Sequence, residues 1–160
     1  RTPNICLMEV YRISKCKYIY DLSGKGAAMY PGRWHNKGTH VLYTAASPSL
    51  AMLETIVHIA NITTDESCLI CIELPVFSIH EIYLSDLPDN WFKNPSPDML
   101  RYIGDDFIKQ RKYLALKVPS AVMPEESNYL LNPAYNAFSD VKIVYTRKIP
   151  IDKRLVPIKG

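Results

Sequence analysis

Twice in this chain a Ser-Pro pair opens an amphipathic run, and the rest of the patterned sequence is short and strand-like. Ser47-Pro48 precedes Leu50, Leu53, Ile56, Val57 and Ala60; Ser96-Pro97-Asp98 precedes Leu100, Ile103 and Phe107, with Gly104 as a weak point. A serine oxygen at the N-cap accepts a free amide of the first turn, and proline fits the first helical position, where no amide partner is missed. Apolar residues three and four apart then give each helix one face for a core. Strand-like runs lie at 8–13, 40–45, 68–74, 78–83, 114–118 and 141–146. In the second of these, alternation puts Val41, Tyr43 and Ala45 on one face. Helices and strands do not alternate regularly, which argues against a doubly wound sheet. The expectation is an α+β fold: a single compact domain over residues 1–160, with short mixed strands and a few helices.

Residues 23–28 and 31–38 read as loops, and 149–160, with two prolines, as an irregular tail. Residues 1–7 precede Met8, which reads as a start. They are expected to be an added remnant or flexible, and they hold no apolar stretch suited to a signal peptide.

With 160 residues the chain can bury a real core. Nineteen basic against sixteen acidic side chains leave +3, dispersed along the sequence. That balance suits an anionic small molecule or an acidic protein partner, and argues against direct nucleic-acid contact. No run approaches the roughly 18 apolar residues of a membrane span. Cys68 and Cys71 form a Cys-x-x-Cys inside a strand-like run, where positions three apart face opposite sides. They cannot easily share a metal. All four cysteines, at 6, 16, 68 and 71, read as structural thiols in a reducing cytoplasm. The histidines at 35, 40, 58 and 80 form no helical zinc pair, so no metal site is expected.

Three successive segments carry groups with chemical potential. Arg33 lies in a Gly-Arg-Trp turn, Tyr43 on the following strand, and Glu54 on the helix after that. Arginine can hold phosphate by two parallel bonds, or it can stack on Trp34 at the surface. Tyr43 is either a core ring or the wall of a pocket against a base or ribose. Glu54 falls on the flank of the apolar stripe, beside Leu50. It either pairs across the helix, with His58 in reach four residues on, or lines a pocket. There a carboxylate could stabilise an oxocarbenium-like transition state. Pro119-Ser120 lacks a Gly-x-Ser-x-Gly elbow, so Ser120 reads as a hydrogen-bond donor to a ligand or a strand-end cap, not a nucleophile. In residues 126–133 the asparagines, Asn128 among them, either fix a loop or meet a ligand amide. No dinucleotide or Walker glycine motif stands in the required context.

The ordered set of segments resembles the RES-domain family, the toxin halves of bacterial toxin–antitoxin pairs whose antitoxins carry an Xre-like helix-turn-helix. It runs through Tyr11-Arg12-Ile13, Asp21-Leu22-Ser23-Gly24, Gly32-Arg33-Trp34, Leu42-Tyr43-Thr44-Ala45 and Leu53-Glu54 with His58. It continues through Leu87-Pro88 with Trp91, Ile103-Gly104-Asp105, Pro119-Ser120-Ala121-Val122 and Asn128-Tyr129-Leu130-Leu131-Asn132-Pro133. Arg33, Glu54 and Ser120 correspond to the three residues in the family's name. One departure is Tyr135, where family members often have histidine; no catalytic role is assigned there.

The resemblance implies a fold like that of ADP-ribosyltransferase toxins. It implies NAD+ as substrate with no prosthetic group, and cleavage of the nicotinamide–ribose bond as a glycohydrolase or phosphorylase. It also implies a cognate Xre-like antitoxin covering the active site in an oligomeric complex. On that expectation Glu54, Arg33 and Tyr43 are catalytic. Arg12 and Arg33 hold the diphosphate, Tyr43 packs on nicotinamide or its ribose, and Ser120 and Asn128 complete the binding set. An ADP-ribosyltransferase acting on a protein or metabolite uses the same groups, and a non-enzymatic interaction module is the reading of another class.

Overall fold

The computed structural model describes residues 4–58 and 66–156. Its strands are β1 (Leu7–Lys15), β2 (Leu42–Ala45), β3 (Ser67–Pro75), β4 (Ile79–Glu81), β5 (Ala115–Pro119), β6 (Ser127–Leu131) and β7 (Lys142–Lys148). They form one seven-stranded sheet in the order β4-β5-β6-β2-β1-β3-β7. Every neighbouring pair is antiparallel except β4 with β5. Among the described residues three α-helices accompany it: α1 (Lys25–Ala28), α2 (Pro48–His58) and α3 (Asp98–Gln110). The architecture is the expected α+β.

Period-two alternation gives the sheet two apolar faces. Leu42, Ile70, Ile72, Leu74, Tyr129 and Leu131 point into one core. Their neighbours Val41, Leu116, Val118 and Leu130 point into another, closed by Leu100 and Phe107 of α3 with Trp34 and Trp91. Helix α2 adds a third, smaller cluster, in which Leu50 and Ala51 pack on Ala45 with Tyr11, Ile13 and Leu53 alongside. Each fully buried leucine or isoleucine contributes roughly 1.5–3 kcal/mol of transfer free energy, so these layers fix the sheet.

Ser47 caps α2 as the sequence predicts: its hydroxyl accepts from the Leu50 amide at 3.1 Å. The stripe is narrower than expected, because Val57 is exposed and lines a cleft; Ala60 lies outside the described residues. The second Ser-Pro start is displaced by one residue, since Pro97 itself occupies the N-cap of α3. Gly104 is no mere weak point. A Cβ there would stand 1.6 Å from the Trp34 carbonyl oxygen, so the missing side chain lets α3 press against the segment that carries Arg33.

Three expectations need correction. Residues 127–131, absent from the strand-like runs, form β6, because β2 on one side and β5 on the other satisfy the backbone. Residues 25–28, read as loop, form the short α1. The cysteines are not four buried thiols: Cys16 and Cys68 form a disulfide, Cys6 is exposed and only Cys71 is a free buried thiol. The β1–β3 ladder, which sets Ser14 opposite Cys68, carries Cys16 to its partner. The cysteine argument for a reducing compartment therefore falls. No helix among the described residues is long and apolar enough to cross a membrane.

Candidate active site

Strands β1 and β2 share a single ladder pair, Tyr11 with Ala45. A sheet neighbour normally continues for several residues; here the strands part after one, and a cleft of about 1370 Å³ opens at the parting. Drug-sized ligands occupy roughly 300–1,000 Å³, so the cleft has room for a dinucleotide. Arg12, Arg33, Tyr43, Glu54 and Asn128 all line it. A second depression of about 1000 Å³, over Tyr102, Asp105 and Lys109, shares no lining residue with it.

Glu54 is the most constrained of these groups. Helix α2 places it over the strands, where its Oε1 accepts from Ser120 Oγ at 2.6 Å and from Asn128 Nδ2 at 2.8 Å. Ser120 is fully buried just after β5, and its oxygen in turn accepts the amides of Val122 and Met123 at 3.2 and 3.1 Å. One carboxylate oxygen is thus tied down from two sides, and Oε2 is the one left for a ligand. Ser120 and Asn128, expected from sequence as ligand contacts among other readings, both donate to the same carboxylate oxygen of Glu54. His58, open as a partner on sequence grounds, makes no bond to it; it is exposed at the cleft. The amide of Asn128 must point its nitrogen at the carboxylate, which fixes the flip. Its Oδ1 is buried with no hydrogen-bond partner.

Arg33 enters from the turn before β2. Its Nη1 donates to the carbonyls of Trp91 and Lys93 at 2.7 and 3.0 Å. The guanidinium therefore clasps the loop that carries Phe92 and has three N–H groups, on Nε and Nη2, for other contacts. Desolvation lowers its pKa, opposed by the charge of Glu54 and then by Tyr43. Arg33 does not stack on Trp34, which is buried in the core below α3. Arg12 comes from β1. Burial lowers its pKa, with Asp21 acting the other way, and its Nη1 is buried without a hydrogen-bond partner. A buried cationic donor left unmatched is costly unless an anion meets it.

Tyr43 stands half-buried on β2. Its hydroxyl faces inward, 3.3 Å from the Trp34 amide and 2.6 Å from His35 Nδ1. Burial raises its pKa far above the usual phenol value. The turn itself is held from α3: Asp105 accepts from the Asn36 amide, the Asn36 side chain and Thr39 at 3.0, 2.7 and 2.8 Å. Sequence reading missed His35 and Asp105 as parts of the site. Nothing local marks His35, because its ring contacts, to Tyr43, Ala27 and Tyr30, are all made through the folded turn. Tyr135 packs against the core on the other face of the sheet. Among the described residues no three His, Cys, Asp or Glu side chains gather as a metal site.

The RES domain is matched over residues 9–153, nearly the whole chain. The chain belongs to the RES-domain family. A protein named Toxin Res from Yersinia enterocolitica is 41% identical over 133 residues, 82% of this chain and 88% of that one. Toxin Res of Photorhabdus laumondii is 36% identical, covering 95% of this chain and 99% of its own. A Sphingobium protein named Prs ADP-ribosylating toxin is 34% identical over 85% of this chain and 87% of its own. Among solved structures, a chain of the M. tuberculosis MbcT–MbcA toxin–antitoxin complex superposes with a TM-score of 0.76. It covers 91% of this chain and 85% of that one at 15% identity. The likeness of fold thus extends beyond detectable similarity of sequence.

Proposed function

We propose that this RES-domain protein is the toxin of a toxin–antitoxin pair and that it consumes NAD+ by cleaving the bond between nicotinamide and ribose. The observation that carries the reading is the clamped carboxylate of Glu54, with Oε1 immobilised by Ser120 and Asn128, in one cleft with Arg33 and the unmatched Arg12. The arginines supply donors for the diphosphate. Glu54 Oε2 faces the nicotinamide ribose and accepts its hydroxyl hydrogen. As the C–N bond lengthens, positive charge grows on the sugar, and a carboxylate already fixed in place stabilises it without reorganisation. Nicotinamide leaves as a neutral base, so no general acid is required. Water at the sugar carbon gives ADP-ribose and a proton; inorganic phosphate gives the 1-phosphate ester.

A cleft this open needs a cover when the activity must be silent. An Xre-like antitoxin seated over it in an oligomeric complex is the partner that the resemblance implies, with both proteins in the cytoplasm where NAD+ is consumed. A second reading, transfer of ADP-ribose to a protein or metabolite, draws on the name of the Sphingobium relative and uses the same groups.

The test is NAD+ turnover by purified protein, with products identified by NMR with and without phosphate, beside Glu54→Gln. The expected result is nicotinamide release by wild type and a loss of about 10²-fold or more in the variant. Intact NAD+ with wild type would overturn the reading. ADP-ribose found on an added macromolecule instead of free in solution would select transfer.

A further inference from the structure

His35 lies behind the cleft, 3% exposed, and its two ring nitrogens face different chemistry. Nε2 sits 2.7 Å from the Ala27 carbonyl oxygen and 2.8 Å from that of Tyr30. Carbonyl oxygens only accept, so Nε2 carries the proton. In the neutral ring Nδ1 is then an acceptor, and the group 2.6 Å away is the Tyr43 hydroxyl. Tyr43 therefore donates a hydrogen bond to His35 Nδ1 while its oxygen accepts the Trp34 amide. No donor remains on the phenol for a substrate in the cleft.

The backbone is shaped for this contact. Gly32, bridged to His35 across the turn by its amide at 3.0 Å, has no side chain. A Cβ there would stand 2.6 Å from the His35 ring and 3.1 Å from the Tyr43 hydroxyl. The Ala27 and Tyr30 carbonyls belong to the end of α1 and the turn after it, so the tyrosine is anchored through histidine to a separate element.

We propose that His35 is a positioning residue: it locks the Tyr43 hydroxyl inward, so that Tyr43 serves the cleft through its ring face alone, as a platform for a flat cationic or aromatic ligand group. This rests on the reading that the cleft binds NAD+, whose pyridinium is such a group. It assigns the tyrosine no proton transfer and no hydrogen-bond donation toward the substrate.

The experiment is a double-mutant cycle in kcat/KM for NAD+ consumption, using Tyr43→Phe, His35→Ala and the pair. Tyr43→Phe keeps the ring and is expected to lose about tenfold, mostly in KM. His35→Ala is expected to lose a similar factor, and the pair no more than the worse single variant, because both remove one contact. His35→Gln, whose amide offers one donor and one acceptor, recovers most of the loss. Additive losses, or a fall of more than about 10²-fold in kcat for Tyr43→Phe, would overturn the assignment. Nitrogen-15 NMR of His35 reads the lock without any substrate: the Nε2–H tautomer supports it and the Nδ1–H tautomer sinks it. If wild type leaves NAD+ intact, the proposed reaction fails by itself, and the NMR result with the same cycle read in thermal unfolding still decides the lock.

Discussion

Replacing Ser120 by alanine separates a residue that meets substrate from one that holds the residue that does. The hydroxyl is fully buried and makes three contacts, donating to Glu54 and accepting from Val122 and Met123. A hydrogen bond to a charged group contributes about 1.5–3 kcal/mol, and a buried polar group left unmatched costs about 1–3 kcal/mol. Both amide contacts are only part-buried, so the lower figures apply. The sum is about 3 kcal/mol, which for a chain of this size lowers Tm by about 6–12 °C. Glu54 keeps Asn128 but can swing about it. A stabiliser that must reorganise works less well, so kcat falls about 10- to 100-fold while KM stays near its wild-type value. Thermal unfolding followed by circular dichroism gives the first quantity, and NAD+ turnover well below both midpoints gives the second. A raised KM with kcat unchanged would refute the reasoning. It would return Ser120 to direct contact with substrate, the role suggested by sequence.

Gly104→Ala would ordinarily stabilise a helix by about 1 kcal/mol; here the overlap with the Trp34 carbonyl is expected to lower Tm by several degrees and to cost activity through displacement of Arg33, and an unchanged midpoint would contradict the close approach. Burial raises the Asp105 pKa, but the hydrogen bonds from Asn36 and Thr39 outweigh it and hold the carboxyl below its ordinary value. Its contribution is therefore complete above about pH 4 and is lost as pH falls through the folded-state value, so the Tm gap between wild type and Asp105→Ala is expected to be wide at pH 7 and to close in acid; a gap independent of pH would show that the charge is not involved. With Cys16 and Cys68 joined, a thiol reagent applied without reductant should find one reactive group in the folded protein, Cys6, and a second, Cys71, on unfolding; four on unfolding would mean that the disulfide is not formed.

What could be read from sequence was local. The α2 cap, the flank position of Glu54 and the alternation in β2 follow from neighbours within one or two turns of chain. The β6 strand was hidden because Ser127-Asn128 followed by Asn132-Pro133 has the composition of a turn, and only the strands on both sides make it extended. Arg12 emerged as a site residue from the family resemblance alone, whereas Ser120 and Asn128 stood in the sequence only as one of two readings each, ligand contact or local cap. Their geometry, in which two of them converge on one oxygen of Glu54, depends on contacts 66 and 74 residues apart. The Cys16–Cys68 pair, 52 residues apart, depends likewise on the register of β1 against β3. The Tyr43–His35 contact spans only eight residues, yet it requires a turn that Gly32 and Asp105 shape together.

The single pair joining β1 to β2 divides the sheet into two leaves. One leaf, β1-β3-β7, carries Arg12; the other, β2-β6-β5-β4, carries Tyr43 and Asn128, and the loop after its β5 carries Ser120. Arg12 and the carboxylate clamp therefore ride on separate leaves, joined by one ladder pair, by a shared core and by α2, which packs on Ala45 of one leaf and on Tyr11 and Ile13 of the other. Their spacing is set by the packing across the seam, where Leu42, Tyr129 and Leu131 of one leaf meet Val10, Ile70 and Ile72 of the other. Substitutions that shift the packing at this seam without unfolding either leaf should therefore disturb turnover before they disturb stability, so tolerance of mutation in folding and in turnover should part company there.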